Sequence, residues 1–165
     1  TEYAIYRSLA YDGELVPMWG GNQEHETINQ YVSVNAKNKD NEPIRIFEGP
    51  CLIISLDGSA GSMTYKKKGE KFALNHHAGV LKCKDALKLN LEYFKYKFEN
   101  YLKSLAVSDG SKTLSIGLLE KQLFELPEIK EQEKLVERYR KLAELKNKLK
   151  GYLSTIQDLE SKEIN

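Results

Sequence analysis

A chain of 165 residues is long enough for one domain with its own core, or for one domain and an appendage. With 41% hydrophobic and 30% charged residues it reads as a soluble globular protein and not as a disordered one. The formal net charge of +1 does not announce a strongly basic nucleic-acid binder, so any such role must rest on local clustering.

Residues 1–9 mix aromatic and β-branched side chains and predict a strand. The chain starts directly in that pattern, and so reads as a piece of a longer polypeptide or a processed one. Asp12-Gly13 marks a turn. Residues 15–19 are short and apolar, and Pro17 predicts an edge strand or an extended segment, closed by Gly20-Gly21-Asn22. Residues 23–29 are polar and predict a loop, 31–34 alternate as a strand, and 35–42 form a polar loop carrying Lys37, Asn38 and Lys39. Residues 44–47 are a further strand, leading through Gly49-Pro50 into a hairpin.

That hairpin, residues 51–68, begins with the apolar run 52–56. The run predicts a strand buried on both faces, although periodicity alone leaves a buried helix open. Asp57-Gly58 and Gly61 tolerate positive φ and predict a tight turn whose tip exposes backbone N–H groups and small hydroxyls such as Ser59. The return strand, 62–66, ends in the cation cluster Lys66, Lys67 and Lys68. A turn of this kind can approach a phosphate backbone closely. Residues 72–74 and 79–83 predict strands around Asn75, His76 and His77. Short strands separated by turns every ten residues or so argue for a mostly β body.

The period then changes. Asn90 predicts an N-cap, and Leu91, Phe94, Phe98, Tyr101, Leu102 and Leu105 recur at helical spacing, as an amphipathic helix packed on the sheet. Residues 108–113, with Ser111 and Lys112, predict a turn, and 114–126 a helical turn followed by a strand. Pro127 suits a helix start, and Glu128 and Glu131 fall in the first turn, where the macrodipole favours them. Leu135, Leu142, Leu149 and Ile156 recur every seven residues, beside a looser row of Tyr139, Leu145, Tyr152, Leu153 and Leu159. A long helix with such a stripe and nothing left in the chain to cover it calls for a partner helix.

Enzyme signatures are weak. Cys51 could be posed against His76 or His77 as a thiol–imidazole pair, but an apolar run is where a structural cysteine is expected. Two cysteines, Cys51 and Cys83, are too few for a disulfide scaffold and, with three histidines, have no metal-ligand spacing. No phosphate loop, nucleophile elbow or amino-methyltransferase motif is present, and Glu128 with Lys130 lacks the aspartate of a nuclease site. No apolar run reaches membrane-span length, no signal peptide is evident, and a reducing cytoplasm is the expected compartment. For His76 and His77 the ordinary reading is a turn residue and a half-buried imidazole; the sharper one is contact with a base edge or phosphate. A solvated strand end is likewise the default for the lysine triplet.

Five stretches come in a fixed order: VPMWGGN at 16–22, LIISLDGSAGSMTY at 52–65, FALNHHAGVLK at 72–82, the helix at 91–106, and LFELPEIKEQEKLVERYRKL at 123–142. This order resembles the DNA specificity subunit of Type I restriction–modification systems. It matches one target recognition domain, residues 1–127, followed by one long spacer and dimerisation helix, residues 128–165. The most specific piece is aliphatic–Pro–Glu–x–x–x–Gln at 126–132, and the second is the Asp-Gly-Ser-x-Gly hairpin. The resemblance implies an α+β fold: a mostly β body with a packed helix, then a coiled-coil-type helix. It departs from the family in having one domain and one helix where a full subunit has two of each. The chain is therefore expected to be half of a longer polypeptide or a half-subunit that pairs with itself, and a two-fold dimer would read a symmetric split site.

The function implied is non-catalytic: reading double-stranded DNA for methyltransferase and restriction subunits. No cofactor is expected in this chain, with S-adenosylmethionine held by the methyltransferase partner, which would flip the target adenine. Base or phosphate contacts are expected from Asn22, Lys37, Asn38, Ser59, Asn75, His76, His77, Ser111 and Lys112, with Lys66, Lys67 and Lys68 as a phosphate clamp. Within this resemblance the Asp-Gly-Ser-x-Gly turn becomes scaffold and specificity moves to the loops around it. Leu135, Leu142, Leu149 and Ile156 would form the helix-pairing seam. Similar domains occur fused to a methyltransferase in single-chain restriction enzymes, and a scaffold protein that never touches DNA is the alternative of another class.

Overall fold

The computed structural model describes residues 11–21, 30–109 and 111–163. The strand expected over 1–9, the loop over 23–29 and Asn22 lie outside the described residues. The described elements are β1 (Leu15–Trp19), β2 (Tyr31–Ser33), β3 (Ile46–Glu48), β4 (Cys51–Ser55), β5 (Met63–Lys66), β6 (Lys71–Leu74), β7 (Ala78–Leu81), α1 (Leu91–Ser104), β8 (Val107–Asp109), β9 (Ser111–Thr113), α2 (Ile116–Leu119) and α3 (Ile129–Glu163). The strands form a four-stranded sheet in the order β2-β1-β6-β3, a three-stranded sheet β5-β4-β7, and the ribbon β8-β9. The architecture is α+β, as the change of period at Asn90 predicts.

β4 explains the unbroken apolar run. It is the central strand of its sheet, antiparallel to β5 and β7, and every residue in it is buried. Leu52 and Ile54 face one core with Met63, Leu102 of α1 and Leu114. Cys51 and Ile53 face the other, with Phe72 of β6 and Ala78. A strand buried on both sides has no polar face to alternate with.

β1 corrects the edge-strand expectation. Leu15, Val16 and Pro17 pair antiparallel with β2, while Met18 and Trp19 pair in parallel with β6. The strand is interior, and Pro17 is tolerated because pairing with β6 begins only after it. The turn expected at 108–113 is part of the β8-β9 ribbon, with Gly110 outside the described residues. The strand expected late in 114–126 is absent. Residues 122–128 have no regular structure, and Phe124 instead packs edge-on to Phe94 at 4.8 Å and tilted against Phe98 at 4.7 Å.

α1 begins where Asn90 accepts from the backbone nitrogens of Glu92, at 2.9 Å, and Tyr93, at 3.2 Å. Leu102 is fully buried beneath it, but Tyr101, expected on the same face, is exposed and donates its hydroxyl to Gln122 Oε1 at 2.6 Å.

α3 has 35 residues, roughly 50 Å of helix. Its first turns dock on α1: Val136 is buried, Tyr139 stacks on Tyr96 at 4.8 Å, and Arg140 forks onto the Glu92 carboxylate at 3.0 and 2.5 Å. Leu135 lies in this docked part, between Gln132 and Val136, and is half-buried where the rest of the expected seam is exposed. Beyond Arg140 the stripe lies open: Leu142, Leu145, Leu149, Tyr152, Leu153 and Ile156 are each more than half exposed. No helix among the described residues is long and apolar enough to cross a membrane.

Candidate nucleic-acid interface

The turn after β4 folds inward as a knot and is not the open cradle its glycines predict; of residues 56–62 only Gly58 is exposed. Gly58 and Gly61 do adopt positive φ, +70° and +86°. Yet Ala60, Gly61 and Ser62 are buried, and Gly61 donates to the Ser55 carbonyl at 2.9 Å. A Cβ on Gly61 would lie 2.5 Å from the backbone nitrogen of Lys103, so the missing side chain is what lets α1 close on the hairpin. Glu99 of α1 completes the join by accepting from the Met63 nitrogen at 2.8 Å. Ser59 turns inward too: its nitrogen and its hydroxyl donate to the Gly21 carbonyl at 2.9 and 2.6 Å.

Three further segments meet this knot. Asn75 donates its backbone nitrogen to the Trp19 carbonyl at 2.9 Å, and its side-chain oxygen accepts from the His77 nitrogen at 2.9 Å. His77 returns to the knot through Nδ1, which lies 2.6 Å from Asp57 Oδ2, while its carbonyl accepts from Leu56 at 2.8 Å. Gly20 and Gly21 give room for this, because a Cβ on either would collide with the Asn75 side chain or the Asp57 carbonyl. The end of β9 joins through a bridge between Asp57 and Thr113, and through Leu114 donating to the Leu56 carbonyl at 2.6 Å. Ser111 and Lys112 are thereby carried beside the knot, and Lys112 is exposed. His76 is the outward member of the histidine pair, exposed, with its ring 3.6 Å from that of His77.

Next to the knot lies a groove of about 820 Å³ with an apolar floor that includes Met18, Phe47 and Val80. Its polar lining is Asn38, Arg45, Asn75, His76 and Lys82. Asn38, Asn75 and His76 are brought together here as a set. Arg45 and Lys82 were missed by sequence reasoning. Each looks like an isolated cation at the margin of an apolar run, and only the sheet order delivers them to one groove. Arg45 is exposed with its guanidinium 4.8 Å over the Phe47 ring. Asn38 also holds its own loop, its side-chain oxygen accepting from Asp40 and Glu42 at 2.9 Å each. Lys37 is half-buried in a bridge to Pro43 on the same loop.

Lys66, Lys67 and Lys68 do not line this groove. They sit at the far end of β5 from the knot, where Lys66 pairs with Cys51. The Lys66 ammonium lies 4.5 Å over the Trp19 ring, whereas Lys67 and Lys68 are exposed. The same register separates Cys51 from His77, which meets the opposite end of β4 at Leu56. Burial also pushes the Cys51 thiol above its ordinary pKa against the pull of Lys82 and Lys66, the reverse of what a thiolate nucleophile needs. Among the described residues no group of three or more His, Cys, Asp or Glu side chains could hold a metal ion.

The Pro-Glu-x-x-x-Gln stretch builds the junction with α3. Gln132 is wholly buried, and its amide is shared among three backbone groups. Nε2 donates to the carbonyls of Lys88 and Pro127, both at 2.8 Å, and Oε1 accepts from the Asn90 nitrogen at 2.9 Å. One side chain thus ties the start of α3 to the residues that open α1.

No curated protein matches the chain. The S subunit of a Type-I restriction-modification system from M. genitalium is 18% identical, with a TM-score of 0.54 over 81% of this chain and 32% of that one. A second structure, described for complex assembly and conformational transition of the type I R-M system, is 17% identical, with a TM-score of 0.61 over 84% of this chain and 33% of that one. The chain therefore spans about a third of the length of the solved structures it matches, and at these identities the likeness is one of fold. The model of the Type I restriction modification DNA specificity domain matches residues 3–156, which takes in the knot, the groove, the junction and most of α3. The chain belongs to the Type I restriction modification DNA specificity domain family.

Proposed function

We propose that this chain reads one half of a split duplex DNA site and contributes one of two paired helices that hold the halves at a fixed spacing. The β body supplies sequence recognition, while methyl transfer, with its S-adenosylmethionine, and cleavage belong to methyltransferase and restriction subunits. The observation that carries this reading is the groove, where Arg45, His76 and Lys82 present donors around an apolar floor in a member of a DNA specificity family. An arginine is suited to bidentate contact with guanine, and an exposed lysine to phosphate. Asn38, Ser59, Asn75 and His77 support the loops through hydrogen bonds within the chain. Lys37, Lys112, Ser111, Lys66, Lys67, Lys68 and Asn22 complete the proposed contact set.

Sequencing of methylated sites in cells carrying the intact system, followed by binding of the complex to the site found and to random duplex, tests the reading. Equal affinity for both at physiological salt would sink it. Arg45→Ala is expected to weaken binding to the cognate duplex by roughly 1–3 kcal/mol and to relax preference at one position. Lys82→Ala is expected to weaken all duplexes alike and to lower the salt slope by about 1. Measuring both across a salt series separates the two roles.

The open stripe of α3 supports pairing with a second copy or with an equivalent helix in the same polypeptide. Residues 141–150 carry Lys141, Lys146, Lys148 and Lys150 against Glu144, whereas 151–163 carry Asp158, Glu160 and Glu163 against Lys162. Antiparallel pairing sets the basic half against the acidic half, and parallel pairing sets like against like. Leu142→Glu with Leu149→Glu is therefore expected to abolish pairing while leaving the fold of the body intact. Sedimentation that stays dimeric would count against the seam.

A further inference from the structure

The contacts that hold α3 to the body lie along one face of its first turns. Gln132, Val136, Tyr139 and Arg140 follow at spacings of four, three and one. Gln132 grips the backbone just ahead of α1, at Lys88 and Asn90, and the outer two meet Tyr96 and Glu92 of α1. α1 is itself fixed to the hairpin at its other end, through Glu99 on Met63 and the close approach of Gly61 to Lys103. An unbroken series of short contacts therefore runs from the knot beside the groove to the root of the long helix. Beyond Arg140 the helix continues as a lever, with its apolar stripe exposed.

We infer that Gln132 is a positioning residue that sets the angle at which the long helix leaves the body, and hence the spacing between two half-sites. The inference rests on the half-site reading above. The lever makes the angle matter. From Gln132 to Ile156 the helix runs roughly 36 Å. A tilt of about 10° at its root displaces the far end by roughly 6 Å, nearly two base-pair steps of about 3.4 Å. A surface contact alone would tolerate such a tilt. The bonds from this one buried amide to Asn90 and Lys88 do not, because rotation of the helix root leaves the donors and acceptors of the wholly buried Gln132 without partners.

The test uses the assembled chain with its methyltransferase subunits and a panel of duplexes. Each duplex carries both cognate half-sites, with the spacer at native length or one or two base pairs shorter or longer. The wild type is expected to prefer the native spacer by about tenfold or more, as for one lost base contact. Gln132→Ala is expected to reduce that preference to within about threefold, while discrimination against single-base changes inside a half-site stays at the wild-type level. A folded Gln132→Ala complex with the wild-type spacer profile overturns the inference. Should Gln132→Ala fail to fold, Tyr139→Ala with Arg140→Ala decides. Those substitutions loosen the outer half of the same junction without emptying a buried site, so a broadened spacer profile upholds the inference and an unchanged one overturns it. A wild-type complex that discriminates neither spacer nor sequence would instead defeat the half-site reading on which the inference stands.

Discussion

Gly61→Val is expected to lower stability by about 4 kcal/mol, a large share of the roughly 5–15 kcal/mol that keeps a domain folded. Two effects add. The residue sits at φ +86°, where a β-branched side chain is strained by about 1–2 kcal/mol. Its Cβ would also meet the backbone of Leu102 and Lys103, and backbone at a helix end cannot swing aside as a side chain can. Overpacking of that kind typically costs about 1–3 kcal/mol. Gly69 supplies the control, because it has the same φ of +86° and nothing within 4 Å of an added Cβ. Gly69→Ala is expected to lose only about 1 kcal/mol, the conformational part alone. Urea denaturation of both variants separates strain from collision. Similar losses at the two positions would show that the hairpin and α1 do not depend on this close approach.

Gln132→Ala carries the second large effect. It strands the nitrogen of Asn90 and the carbonyls of Lys88 and Pro127, part-buried groups around a side chain that is itself wholly buried. Leaving a buried group unsatisfied costs about 1–3 kcal/mol, so a total of roughly 3 kcal/mol or more is expected, about 6–12 °C in Tm for a chain of this size. Gln132→Glu is expected to be worse at neutral pH, since a carboxylate would face two carbonyl oxygens that now receive N–H bonds. Lowering the pH should restore part of the loss, because a protonated carboxyl can donate to one of them. A calorimetric Tm unchanged in Gln132→Ala would mean that water replaces the amide.

Much of this was legible in the sequence because its signals are local. The Asn90 cap, the helical spacing after it and the period-seven row of leucines each depend on residues within a turn or two of one another. The apolar run at β4 reads as a strand buried on both faces with a buried helix left open, and its central place in the sheet accounts for the missing alternation. What failed was whatever depends on which strands become neighbours. Pro17 argued for an edge, and the strand is interior because it changes partners at that residue. The glycines after β4 signalled a turn, but not that α1 would close against its Gly61 side. Leu135 fits the heptad row in sequence, yet it falls within the turns of α3 that dock on the body and is half-buried there. Arg45 and Lys82 have no spacing in common and share a groove only because the packing of the two sheets brings the start of β3 and the end of β7 to it. The knot was legible as a motif, while the groove beside it is a product of tertiary structure.

One consequence follows from the packing around Trp19. It is the only tryptophan in the chain. Its ring lies under the Lys66 ammonium, and its carbonyl accepts from Asn75 at the edge of the groove. The intrinsic tryptophan emission of this protein therefore has a single source, next to the surface proposed to meet DNA and outside the helix proposed to meet a second copy. This chain carries a built-in optical label for one of the two proposed roles and none for the other.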